Sequence, residues 1–94
     1  MILKCDVILK NLDGSNLPQM NGEDITVGRV FSMILAIDKT EKMDPFKAYI
    51  MAKKFYDQKE IELDSADVIV LKEILKSTQR FTPLVIGQIL EMLG

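Results

Sequence analysis

Few side chains in this 94-residue chain could do chemistry. The chain contains no histidine, the most common general base and metal ligand near neutral pH. Without histidine, neither a serine nor a cysteine catalytic triad can form. Zinc would need four ligands drawn from cysteine, histidine and carboxylates, and the chain offers one cysteine and scattered acids. We therefore predict no catalytic residues, no metal and no cofactor, and we expect the protein not to be an enzyme.

The segment that begins at Asp13 superficially resembles a calcium-binding loop. Counting from Asp13, Pro18 occupies the position that requires glycine, and Asp24 the position that requires a bidentate glutamate. The glycines of the chain also lack the spacing of a phosphate-binding loop. Neither calcium binding nor nucleotide binding is predicted.

The remaining reactive groups, Cys5 and the pair Glu60 and Glu62, fit structural roles. Cys5 lies on the apolar side of an alternating segment, where a free thiol behaves as a small hydrophobic residue. Glu60 and Glu62 alternate with apolar residues, as charges on the solvent face of a strand do. We predict that the thiol is core and that the two carboxylates are solubilising charges.

Two segments have the period-two pattern of half-buried strands. The first covers residues 2–10, and the second covers residues 60–63. Residues rich in turn formers follow the first strand. If the two strands pair, Glu60 and Glu62 come near Lys4 and Lys10, and opposite charges favour that register.

Four segments have helical spacing of apolar residues and helix-start signals. The predicted helices run from about Thr26 to Ile37, Pro45 to Gln58, Ser65 to Lys76, and Leu84 to Leu93. The fold class is therefore predicted as α+β in one domain, residues 1–94, with about four helices covering one face of a small two- to three-stranded sheet. The stripe predicted to face inward on the second helix consists of Ala48, Met51, Ala52, Phe55 and Tyr56.

The last helix is the most informative segment. Its apolar residues are distributed around most of the helix circumference, and such a helix must be buried on most sides. Either it is the central helix of the monomer core, or one side contacts another subunit or partner, because a chain this short has few elements to enclose it. The candidate interaction residues are Leu84, Val85, Ile86, Ile89, Leu90, Met92 and Leu93.

Composition indicates which partners and which cellular location to expect. Fourteen acidic and twelve basic residues give a formal charge of −2, which provides no cationic field for nucleic acid. The longest apolar run is far shorter than the ~20 residues of a membrane-spanning helix. A single cysteine and the absence of an N-terminal signal pattern suggest a reduced, cytosolic location. Neither nucleic acid nor a membrane is expected as a partner.

Several short motifs together resemble a known group of proteins. They are Leu12-Asp13-Gly14, Ile25-Thr26-Val27-Gly28, Ala48-Tyr49, Ala52-Lys53, Phe55-Tyr56, Glu60-Ile61-Glu62-Leu63-Asp64 and Thr82-Pro83-Leu84-Val85-Ile86-Gly87-Gln88. They look like small proteins of unassigned function that tailed bacteriophages and prophages encode. The resemblance covers most of the chain and implies a phage protein in the cytoplasm of the bacterial host. It includes no catalytic motif and assigns no functional residue.

Two functions remain open at this point. The first is a non-catalytic phage protein that acts through contacts with itself, as a homodimer or small oligomer, or with a phage or host protein. Its contacts would use the last helix or a free edge of the first strand. The second is a regulatory or anti-defence protein that sequesters a host factor or a small ligand, for which the candidate polar groups are those of Arg29, Tyr49, Tyr56 and Arg80.

Overall fold

The computed structural model describes residues 1–38 and 41–94. The described residues form, in chain order, β1 (Ile2–Lys4), α1 (Val27–Ile37), α2 (Pro45–Asp57), β2 (Glu60–Glu62), α3 (Ser65–Ser77) and α4 (Pro83–Leu93). This content confirms the predicted α+β class. The Cα radius of gyration is 12.5 Å, close to the value of about 12.4 Å typical of a compact chain of this length. Within these residues, no helix is long and apolar enough to cross a membrane.

The two strands pair as the alternating charges predicted. β1 and β2 are antiparallel, with Leu3 opposite Ile61 and Lys4 opposite Glu60. The predicted proximity of Lys10 to the glutamates is wrong. The Lys10 side chain instead donates a hydrogen bond to Asn16, outside the paired strands.

The first strand is shorter than the predicted span of residues 2–10. It ends at Lys4 because the backbone then leaves the sheet to bond with the start of α1: the Cys5 carbonyl accepts from Gly28 N at 2.9 Å. Beyond that point, Ile8 forms a single-residue bridge with Thr26. The predicted alternation of side chains nevertheless persists, since Cys5 and Leu9 are both buried.

Side-chain caps start three of the four helices where the sequence predicted. The Thr26 hydroxyl accepts from the backbone N–H of the third residue of α1, and Asp44 accepts from two N–H groups in the first turn of α2. Asp64 caps α3 in the same way. These bonds satisfy donors that a helix N-terminus otherwise leaves unpaired. The Thr82 side chain makes no such bond, and α4 begins with Pro83, which has no N–H to satisfy.

The core lies where α1 and α2 meet above the strands. Phe31 of α1 stacks on Phe55 of α2 with ring centroids 4.6 Å apart. Gly28 permits this close approach, because a Cβ there would lie 2.5 Å from the Phe55 carbonyl oxygen and 2.9 Å from Cys5 Cβ. Each remaining element contributes buried side chains, among them Leu3, Ile61, Leu71, Leu75 and Ile89.

Candidate functional site

The apolar residues of α4 divide between the core and its margin. Val85, Ile89 and Leu93 are buried, and they recur every four residues, so they form one stripe along the helix. The other four predicted interaction residues are half-buried: Leu84, Ile86, Leu90 and Met92. Three of these four pack against the core cluster, and Leu84 is the exception. The structure thus places three of the seven candidates where a partner cannot reach them, and contact through the other four stays a prediction.

Gln88, next to the buried stripe of α4, forms hydrogen bonds with the backbone of Lys10. The Gln88 amide nitrogen donates to the Lys10 carbonyl oxygen at 2.7 Å, and the Lys10 N–H donates to Gln88 Oε1 at 3.0 Å. The same amide nitrogen donates to the Leu84 carbonyl oxygen at 3.0 Å. These bonds attach this side of α4 to the N-terminal segment.

The second helix, α2, carries the largest exposed aromatic surface. Phe46 is 70% exposed, Tyr49 53% and Tyr56 67%. Spacings of three and seven residues place these side chains on one face of a helix. We call this set the aromatic face. It contains three of the six aromatic residues of the chain. A chain this short has a small core, and these three side chains do not contribute to it.

Two ring contacts restrict the Phe46 and Tyr49 side chains of the aromatic face. The rings of Phe46 and Tyr49 lie 6.4 Å apart between centroids at a tilt of 40°. The Lys53 ammonium lies 5.4 Å from the centroid of the Tyr49 ring, within the range of a cation–π contact. Because the helix and these ring contacts restrict the side chains before binding, a partner would meet a partly ordered surface.

The sequence analysis missed the aromatic face because it assigned Tyr56 to the inward stripe. That assignment is wrong, whereas Ala48, Met51, Ala52 and Phe55 are buried as predicted. Phe55 is 2% exposed and Tyr56 is 67% exposed, so the buried stripe of α2 ends at Phe55. The signal that could have located the face was the three-residue spacing of Phe46 and Tyr49, on the side of the helix opposite Met51 and Phe55.

A second candidate site is a cleft of about 480 Å³ between the segment after β1, the start of α1 and the end of α2. Arg29 and Tyr56, two of the four polar candidates for ligand binding, both line it. The Arg29 guanidinium forms an ion pair with Glu23, while its Nε is buried and has no hydrogen-bond partner among the described residues. Asp6 and Asp57 add negative charge to the walls.

The other two polar candidates for ligand binding lie elsewhere. Arg80 lines a separate open cavity, where its Nε donates to Asp38 Oδ1 at 2.9 Å. Tyr49 belongs to the aromatic face. The structure therefore brings together two of the four residues and separates the rest.

Cys5 has the properties of a core residue, as predicted. It is buried in the central cluster, and its thiol lies 3.8 Å from the Leu3 carbonyl oxygen. Burial raises the pKa of the Cys5 thiol from 9.0 to about 11, and the negative charge of Asp6 adds to the increase. Such a thiol is protonated at neutral pH and is a poor nucleophile.

Comparisons with protein-family models, with curated proteins and with solved structures found no match. Across residues 1–38 and 41–94, no three acidic or cysteine side chains are grouped as they would be to hold a metal ion.

Proposed function

We propose that this chain is a non-catalytic, phage-encoded protein that acts through protein–protein contacts in virion assembly or phage–host interaction. The observation that carries the proposal is the aromatic face, where Phe46, Tyr49 and Tyr56 are all more than half exposed. The phage assignment and the site of action, the cytoplasm of the bacterial host, rest on the motif resemblance described above.

The chemistry of the aromatic face suits binding to another polypeptide. Each aromatic side chain can bury roughly 150–250 Å² in a contact. Aromatic residues are enriched among interface positions whose truncation costs about 2 kcal/mol or more of binding free energy. Phe46 provides a wholly apolar ring, while the tyrosines provide apolar rings with a hydroxyl that can bond at the rim of an interface.

The proposal includes self-association as a homodimer or small oligomer. The exposed portions of Leu84, Ile86, Leu90 and Met92 on α4 would contribute to that contact. It also includes the predicted layer arrangement, with the helices on one face of the small sheet. That arrangement would leave the opposite face of the sheet, with Lys4 and Glu60, in solvent.

Affinity capture with a matched pair of variants tests the proposal. The bait variant combines Phe46→Asp with Tyr49→Asp, and the control is Ile69→Asp, which replaces a 59% exposed residue of α3. We expect a polypeptide from extracts of infected or uninfected bacteria to bind the wild type and the control but not the double variant. Circular dichroism should show all three folded.

Light scattering over a dilution series tests the oligomer separately. A mass that remains monomeric at the highest concentration would contradict self-association. Retention of the same polypeptides by the wild type and the double variant would contradict a role for the aromatic face.

One observation favours the second function, sequestration of a host factor or a small ligand. The cleft that contains Arg29 and Tyr56 is large enough for a small molecule, and it has an unpaired buried donor. If this function is correct, a screen of bacterial metabolites should include a compound that raises the Tm of the wild type by mass action. The Arg29→Gln variant should lose that increase while keeping its fold.

A further inference from the structure

The outer edge of β2 is open in the part of the chain that the structure describes. The Cys5 N–H donates to the Lys59 carbonyl oxygen, and the Leu63 N–H donates to the Met1 carbonyl oxygen. Backbone hydrogen bonds between the two paired segments therefore occur at alternate residues. In an antiparallel pair, the residues between those positions direct their backbone N–H and C=O groups away from the partner strand. The backbone groups of Glu60 and Glu62 therefore point outward, and the sheet contains no further strand to pair with them.

A groove of about 330 Å³ runs beside this edge, between β2 and α2. Ile61, Glu62 and Leu63 all line it. Successive side chains of a strand point to opposite faces, so Ile61 and Glu62 both line the groove where it passes the edge of β2. The opposite edge is occupied by β1, so the groove lies along the outer one.

Apolar and charged residues both line the groove. The charged ones are Lys47, Lys54, Glu62 and Asp67, and Lys47 forms an ion pair with Asp67 at 3.2 Å. Ile50 and Phe46 of α2 form one wall, and Met51 is buried at the floor. Phe46 also belongs to the aromatic face, so the groove and that face form one continuous surface. An extended chain laid along β2 would place every second side chain toward this groove.

The charge on β2 restricts which extended chain fits. Glu60 and Glu62 are both exposed on the solvent face, and β1 already places Lys4 opposite Glu60. Opposite charges across a strand pair are favourable, and like charges are unfavourable. A second copy of β2 would set glutamates against glutamates, so this edge disfavours symmetric pairing of two copies.

We infer that the outer edge of β2 binds an extended segment of a partner protein as an added strand, and that this segment alternates apolar with basic residues. The inference rests on the proposed function, because it specifies how the partner is held. Main-chain hydrogen bonds to Glu60 and Glu62 provide affinity. The apolar residues of the groove and the two carboxylates of β2 select the sequence of the segment.

A fluorescein-labelled peptide that alternates lysine and valine, about six residues long to match a strand, is the probe. Fluorescence anisotropy should show that it binds the wild type at least about tenfold more tightly than an alternating glutamate–valine peptide does. A lysine–valine peptide N-methylated at every residue keeps its charge but lacks all backbone hydrogen-bond donors, and it should not bind. Equal binding of the N-methylated peptide would overturn strand addition.

Charge reversal on the strand provides a second test. Combining Glu60→Lys with Glu62→Lys should reverse the preference toward the glutamate–valine peptide. The matched control, Glu91→Lys on the exposed side of α4, should leave the preference unchanged. On peptide binding, hydrogen exchange should slow at the amides of Glu60 and Glu62 but not at Ile61, which already faces β1.

These measurements separate the two proposals. If no alternating peptide binds the wild type, strand addition at β2 is wrong. Capture that still depends on Phe46 and Tyr49 would then leave the protein-binding function intact. Failure of that capture, with peptide binding at β2 retained, would instead contradict the role of the aromatic face.

Discussion

The helices α2 and α4 present apolar residues in opposite ways. In α4, eight of the eleven residues from Pro83 to Leu93 are aliphatic or proline, yet the centre of its apolar surface is buried in the core. The exposed side of α2 carries lysines as well as apolar groups, yet Phe46, Tyr49 and Tyr56 remain in solvent. The number of apolar residues in a helix therefore does not identify an interface. Their position around the helix axis, relative to the core, is more informative.

A charge placed in the buried stripe of α4 tests most strongly whether that stripe belongs to the core. Ile89→Asp should lower the free energy of unfolding by more than about 4 kcal/mol, because Ile89 is fully buried and an unpaired carboxylate there has no compensation. Urea denaturation followed by circular dichroism measures the effect. The control Leu84→Asp, on the half-buried side of the same helix, should cost far less. An Ile89→Asp protein that stays folded but dissociates from an oligomer would make α4 an interface.

Two adjacent residues provide the same contrast within α2. Phe55→Ala should cost about 3–5 kcal/mol, because it removes a buried ring that stacks on Phe31. Tyr56→Ala should change stability by less than about 0.5 kcal/mol, because its ring is exposed. Thermal and chemical denaturation of both variants would check the pair. Equal losses would mean that Tyr56 also contributes to the core.

Replacing Gln88 tests how firmly the flank of α4 is attached. Gln88→Ala removes the two hydrogen bonds to the Lys10 backbone, and we expect a loss of about 1–2 kcal/mol. Glu91→Ala, at an exposed position of the same helix, is the matched control. If both variants unfold at the same urea concentration as the wild type, water replaces the Gln88 bonds without cost.

Thiol reactivity compares the buried position of Cys5 with the exposed position of Tyr56. Because the pKa of Cys5 is raised to about 11, Ellman's reagent at pH 8 should react with it very slowly in the folded protein. A thiol introduced by Tyr56→Cys should react rapidly. Rapid modification of Cys5 in the folded wild type would show that the segment after β1 opens.

The same shift sets a pH dependence of stability. A pKa raised by folding gives a contribution that is fully present below the unfolded value of 9.0 and is lost as the pH rises toward about 11. Stability should therefore decline across this window in the wild type and less in Cys5→Ala. Parallel pH profiles for the two proteins would contradict the assignment to Cys5.

Local signals predicted the helices well, and tertiary contacts explain the errors. Thr26, Asp44 and Asp64 cap helices that begin where their side chains indicate, because capping depends on neighbouring residues. The end of β1 depends on a bond from Cys5 to Gly28, 23 positions along the chain, which strand periodicity cannot reveal. Phe55 stacks on Phe31 of another helix, and the spacing within α2 alone does not show that the buried stripe ends at Phe55 and leaves Tyr56 outside.

The bond between Gln88 and Lys10 has a consequence for biosynthesis. It joins residues 78 positions apart, and Leu9, next to Lys10, is buried in the core that α4 completes. The nascent chain cannot form this contact until α4 has emerged from the ribosome, so the packing around Leu9 is completed only after that point. Until then, Leu9 and its buried neighbours lack part of their cover and are exposed to proteases and chaperones.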